Sequence, residues 1–158
     1  MTGRELSYLA GAGSAALLIT ALGFQAAGYA PCELCILQRW PHVAAVIIAA
    51  LVWLTGWTRA LAVLGMIAAG MAMGFAIYHV GVEMTWWKGP AHCSGGVADF
   101  ARMSASDLMT KLQGTPVTRC DEVAWRFLGV SMAGWNAICS AVLAVIWGMA
   151  ARKAGNAD

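Results

Sequence analysis

The chain has 158 residues, 60% of them hydrophobic and 11% charged, with a net charge of +2. A soluble domain carries about a quarter charged residues, so most of this surface is not built for water. So small a charge, with no basic run and no nucleic-acid motif, excludes nucleic acid as a partner.

Four tracts lack Asp, Glu, Lys and Arg altogether: Leu6 to Cys32, Trp40 to Thr58, Ala60 to Val82 and Phe127 to Ala151. A membrane crossing takes roughly 20 apolar residues at about 1.5 Å each, and the shortest tract has 19. The tracts predict one all-α membrane domain over residues 1–158, a four-helix bundle with spans near 7–27, 40–57, 60–80 and 127–149. Four crossings put both termini on one side. The first tract also has features of a signal peptide, with Arg4 before it and Ala26-Ala27-Gly28 as a cleavage site. It is longer than the roughly 7–15 residues of a signal h-region, so an uncleaved span is expected.

The link between spans one and two, 28–39, holds Pro31-Cys32-Glu33-Leu34-Cys35. Pro31 suits a first helical position, which puts Cys35 in a first turn, where the helix dipole favours a thiolate. Arg39 follows four residues later, on the same helical face, and its charge favours the same thiolate. Pro41 biases Trp40 away from helical geometry, so the regular helix is expected to restart there. Spans two and three are joined by Gly56-Trp57-Thr58-Arg59 alone. Gly70 and Gly74 within span three are spaced for close helix packing.

The link between spans three and four, 83–126, is long and holds Cys93 and Cys120. In its middle, Val97, Phe100, Ala101, Leu108, Met109 and Leu112 recur at three and four, predicting short amphipathic helices on the membrane plane. Gly89-Pro90, Gly95-Gly96 and Gly114 read as joints on which the cysteines can move. Tyr29, Trp40, Trp86, Trp87 and Trp125 at one side and Trp57 and Trp147 at the other form interfacial belts. The short links and ends carry Arg4, Arg59, Arg152 and Lys153, a higher density of basic charge than on the cysteine side, which favours a cytoplasmic location for them.

Four of the five cysteines thus face one side, and Cys139 lies inside span four as a small apolar residue. Ile36 after the second cysteine of C-x-x-C excludes haem attachment. A zinc site could draw on four thiolates, but zinc knuckles usually supply two short-spaced pairs, and Cys93 and Cys120 stand 27 apart. Two structural disulfides in an oxidising compartment are the reading that needs no chemistry. A redox role fits better, since a thiolate at the membrane surface needs an acceptor that lives in lipid. A quinone is apolar and takes two electrons, and its oxidation of the pair leaves a disulfide and a quinol. A nicotinamide has no Gly-rich strand–turn–helix unit to bind it here.

Pro31-Cys-Glu-Leu-Cys-Ile-Leu-Gln-Arg-Trp-Pro-His42 resembles the signature of the DsbB family of bacterial disulfide-forming membrane proteins. The resemblance continues through Tyr78-His-Val-Gly-Val-Glu83, Trp86-Trp-Lys-Gly-Pro-Ala-His-Cys93 and Cys120-Asp-Glu-Val-Ala-Trp-Arg-Phe-Leu-Gly129. It implies a thiol:quinone oxidoreductase of the bacterial inner membrane, with cytoplasmic termini and periplasmic cysteine loops. Its partner would be a DsbA-like thioredoxin-fold oxidase, and ubiquinone or menaquinone would carry the electrons to the respiratory chain. The resemblance makes Cys93–Cys120 the disulfide that meets the partner and Cys32–Cys35 the pair that meets the quinone. It carries over Arg39, Cys35 and His79 as quinone-binding residues and implies no metal. His42, Glu83 and His92 receive no role. Two alternatives are a quinone reductase resembling vitamin K epoxide reductase and a non-enzymatic membrane protein binding metal through four thiolates.

Overall fold

The computed structural model describes residues 1–90, 104 and 119–155. Their architecture is an all-α membrane bundle: α1 (Gly3–Ala26), α2 (Glu33–Thr55), α3 (Thr58–Glu83) and α4 (Met132–Gly155), each long and apolar enough to cross a bilayer. The helices form a ring in which α1 packs on α2, α2 on α3, α3 on α4 and α4 on α1.

Local sequence fixes the helix ends. Thr2 and Glu5 form a capping box, with the Glu5 N–H donating to Thr2 Oγ1 at 3.2 Å and the Thr2 N–H to Glu5 Oε2 at 2.7 Å, which satisfies two donors that have no intrahelical partner. Cys32 caps α2, its sulfur accepting from the Cys35 N–H at 3.2 Å. Gly56 ends α2 at φ 74°, a conformation that costs glycine little, and α3 starts two residues later. Arg152 and Lys153 occupy the last turn of α4, where cations suit the dipole.

Helix α2 begins well before the span expected at 40–57 and runs unbroken through Pro41. Leu34, Gln38, Pro41 and His42 are all buried on one face of it. Packing of that face outweighs the local bias of Trp40, and spanning helices tolerate an internal proline where neighbouring helices compensate. The loop expected at 28–39 therefore shrinks, and the C-x-x-C is the N-terminus of a long rigid helix. At the other end of the long link, 127–131 belongs to a hairpin rather than to a span. Strands β1 (Arg126–Phe127) and β2 (Val130–Ser131) pair antiparallel, and both turn residues have positive φ, Leu128 at 51° and Gly129 at 79°. The amphipathic helices expected over 97–112 lie outside the described residues.

The lower core gathers Leu6, Ala10, Ala62, Ala69, Leu143, Trp147 and Ala150. Trp147, expected in an interfacial belt, is instead fully buried. It fits because Gly65 on α3 has no side chain: a Cβ there would collide with the indole. Gly11 allows the same approach to Ala49 on α2. Gly70 and Gly74, by contrast, have nothing among the described residues within 4 Å of where a Cβ would stand, so they do not pack the described helices together. Trp40, Trp57 and Trp86 are exposed, as interfacial anchors must be.

Candidate active site

The C-x-x-C pair stands at the first turn of α2. Cys32 Sγ and Cys35 Sγ lie 2.7 Å apart, and both are free thiols here. The hydrogen bond that Cys32 donates to Cys35, and after it burial, push the Cys32 thiol above its ordinary range. Cys35 sits within the first helical turn, its N–H already turned toward Cys32. Cys32 is almost wholly enclosed, at 4% exposed, while Cys35 is more open.

Cys120 comes to the same place. It is disulfide-bonded and fully buried, in one cluster with Cys32, Leu34 and Val82, against which Cys35 also packs. Three of the four cysteines expected to react are thereby neighbours, although 85 residues separate Cys35 from Cys120 in sequence. Cys93, the fourth, lies outside the described residues. Next to Cys120, Arg119 clamps Asp121 with two hydrogen bonds of 3.0 and 2.7 Å and holds its carboxyl below the usual range.

A cleft of ≈ 370 Å³ opens beside the thiols. Its walls include Leu17, Leu18, Ala21 and Phe24 of α1, and Cys35, Arg39 and His79 are among the polar residues that line it. Small-molecule sites fall at about 300–1,000 Å³, mostly apolar with a few convergent polar groups. A flat, mostly apolar ring with two polar oxygens suits that lining. Arg39 is held from α1, donating Nη1–H to Gln25 Oε1 at 2.8 Å and, more weakly, Nη2–H to the Ala21 carbonyl at 3.4 Å. Its guanidinium is thus fixed at the cleft.

His79 is buried near the C-terminal end of α3. Its Nε2 lies 3.7 Å from Cys32 Sγ and 4.0 Å from Glu83 Oε1, and the Cys120 main chain hydrogen-bonds the ring. Its Nδ1 lies 2.8 Å from Gln38 Nε2. Beyond Gln38 the polar contacts continue inward: Asn136 Nδ2–H donates to Gln38 Oε1 at 2.7 Å, and His42 Nε2 lies 3.0 Å from Asn136 Oδ1. Gln38, Asn136 and His42 belong to the site and were not expected from the sequence as functional. Cys35, Gln38 and His42 recur at three and four along α2, a polar face inside an apolar span, and that is the signal that marks two of them.

Among the described residues, the ligand atoms of Cys32, Cys35 and His79 lie within 4.8 Å of one another, a set that metal could share. Cys120 is bonded to sulfur rather than a free thiolate, which counts against a site of four thiolates. Cys139 is free and partly buried on α4, and it is not among the residues that line the cleft.

Comparison with known proteins agrees with this geometry. The chain matches the family described as Disulfide bond formation protein DsbB over residues 3–150. It is 32% identical over 127 residues to Disulfide bond formation protein B of Xanthomonas campestris pv. campestris (strain 8004), covering 77% of this chain and 73% of that one. The protein of the same name from Polaromonas naphthalenivorans (strain CJ2) is 32% identical over 149 residues, covering 89% of this chain and 86% of that one. That from Marinobacter nauticus is 31% identical over 125 residues, with 75% and 73% covered. No solved structure matches the chain. With a paired C-x-x-C capping a membrane helix and a third cysteine packed against it, the chain belongs to the DsbB family of disulfide-forming membrane oxidoreductases.

Proposed function

We propose that this protein is a thiol:quinone oxidoreductase of the bacterial inner membrane, which reoxidises a soluble DsbA-like dithiol oxidase of the periplasm. The observation that carries the reading is the burial of Cys120 in one cluster with Cys32, itself 2.7 Å from Cys35 at the head of an apolar cleft. That arrangement sets a disulfide-bonded cysteine against a cysteine pair that lines a mostly apolar cleft, which supports a relay from a soluble dithiol to an acceptor held in lipid.

The exchange balances as follows. A thiolate of the partner attacks Cys93 of a Cys93–Cys120 disulfide, and Cys120 leaves as a thiolate. The partner's second thiol then displaces Cys93, so the partner gains a disulfide and this chain gains two thiols. The Cys120 thiolate attacks Cys32 of an oxidised Cys32–Cys35 pair and expels Cys35. Cys93 in turn displaces Cys32, restoring Cys93–Cys120 and leaving Cys32 and Cys35 reduced. A quinone bound in the cleft supplies the acceptor for that electron pair and the two accompanying protons. Cys35 and Arg39 would hold it through their polar groups, and Leu17, Leu18 and Phe24 would exclude water from it. The electrons then pass to the respiratory chain through the quinone pool, and the basic end of the bundle, with Arg4, Arg59 and Lys153 around one cleft, faces the cytoplasm.

The test is direct. Protein purified in detergent, given a reduced thioredoxin-fold dithiol protein and ubiquinone or menaquinone, bleaches the quinone at a rate that vanishes in Cys35→Ser. No bleaching by the unaltered protein with either quinone overturns the reading.

A further inference from the structure

The polar contacts leading away from the thiols have a direction. The Leu34 carbonyl can only accept, and Gln38 Nε2 lies 3.2 Å from it. That fixes the Gln38 amide with its NH₂ toward Leu34 and toward His79 Nδ1. Its oxygen therefore faces Asn136 Nδ2, which donates to it at 2.7 Å. Asn136 Oδ1 is then left to accept, from His42 Nε2–H at 3.0 Å and from the Ser140 hydroxyl at 3.4 Å. His79 Nδ1 accepts a hydrogen bond from Gln38 Nε2–H and so bears no proton of its own. A neutral His79 must hold its proton on Nε2. The groups around Nε2 suit a donor there: the Cys120 main chain, which accepts from the ring, with Cys32 Sγ at 3.7 Å and Glu83 Oε1 at 4.0 Å sharing the same proton.

We infer that Asn136 and His42, acting through Gln38, are positioning residues that fix His79 as a donor to Cys32, so that Cys32 in turn donates to Cys35 and the electron-rich sulfur is Cys35. Every link points the same way: His42 to Asn136, Asn136 to Gln38, Gln38 to His79, His79 to Cys32, and Cys32 to Cys35 at 2.7 Å. Chains of this kind polarise one another in a low dielectric. The chain orients protons and does not import them. It stops at His42, whose Nδ1 is buried with no partner among the described residues. Dithiol oxidation by a two-electron acceptor needs no outside proton either, because the thiols supply both.

The inference rests on the redox role proposed above for Cys32 and Cys35. Its decisive measurement does not. The chain has three histidines, so ¹⁵N-histidine correlation spectra of the full protein in micelles can be assigned with single His→Gln variants. The expected result at a pH where the rings are neutral is an Nε2-protonated ring with bare Nδ1 for both His79 and His42. Asn136→Leu, which removes the donor to Gln38, turns the His79 signal into a mixture of the two ring forms. The same variant slows quinone bleaching about two- to tenfold, the worth of one net hydrogen bond. An Nδ1-protonated His79 in the unaltered protein overturns the inference, whether or not the variant folds. So does an Asn136→Leu protein whose His79 signal is unchanged. A protein with the expected ring forms that fails to bleach quinone overturns the redox role instead.

Discussion

Gly65→Ala on α3 is the perturbation whose outcome the packing fixes most closely. The added methyl lands on the Trp147 indole, which is fully buried among Leu6, Ala62, Leu143 and Ala150. Two effects oppose each other. Alanine is a better helix former than glycine by about 0.8–1 kcal/mol. Overpacking costs about 1–3 kcal/mol, and the upper part of that range applies, because the indole is rigid and its alanine neighbours hold the helix backbones close. The net expectation is a loss of about 1–2 kcal/mol. Gly70→Ala, with nothing within 4 Å of its new methyl, keeps only the favourable effect and serves as the control. SDS-driven unfolding from mild detergent, followed by circular dichroism, measures both. Trp147→Phe leaves room for the methyl, so the double variant should be more stable than the sum of the two single changes, with a coupling of about 0.5–3 kcal/mol. A Gly65→Ala protein as stable as Gly70→Ala, or strict additivity with Trp147→Phe, would refute the account of how α3 and α4 meet.

Three further outcomes follow from the site. Gln25→Ala releases the Arg39 guanidinium from its 2.8 Å hydrogen bond; because Gln25 is exposed, water replaces much of it, and the loss is about 0.5–1 kcal/mol. Quinone titrations should show KM raised about two- to fivefold with little change at saturation, and an unchanged KM means that Gln25 does not set the position of Arg39. Leu128→Asn places a residue that tolerates the left-handed region where Leu128 sits at φ 51° and 78% exposed; the hairpin should gain up to about 1 kcal/mol, seen as slower proteolysis between β1 and β2, and faster proteolysis counts against strain there. The Asp121 carboxyl, held down by Arg119, should titrate below an ordinary aspartate in carboxyl-¹³C spectra. Since its folded value is depressed, whatever stability it adds is complete above the unfolded value of about 3.9 and is lost as pH falls through the folded one. Arg119→Gln should bring the midpoint back up.

The sequence by itself determined the solvent and the number of crossings, and it picked out the C-x-x-C pair as the candidate for chemistry. Charge-free tracts of spanning length admit no other fold class once the interior must satisfy its own backbone, and C-x-x-C identifies itself by spacing alone. Arg39, read from its spacing to Cys35, and His79, carried over from the family resemblance, both line the cleft. Tertiary structure decided the rest. Local bias at Pro41 pointed to a break, yet packing of Leu34, Gln38 and His42 carries α2 through it. Trp147 reads as an interfacial anchor in any hydropathy pattern, and only the bare face of Gly65 on another helix makes room for it in the core. Gly70 and Gly74 show the converse, a small-residue spacing with no close neighbour among the described residues. Asn136 meets Gln38 across 98 residues of chain, and Cys120 reaches Cys32 from the far end of the long link. Such pairings are set by how four helices close into a ring, and no local periodicity encodes which face of one helix meets which face of another.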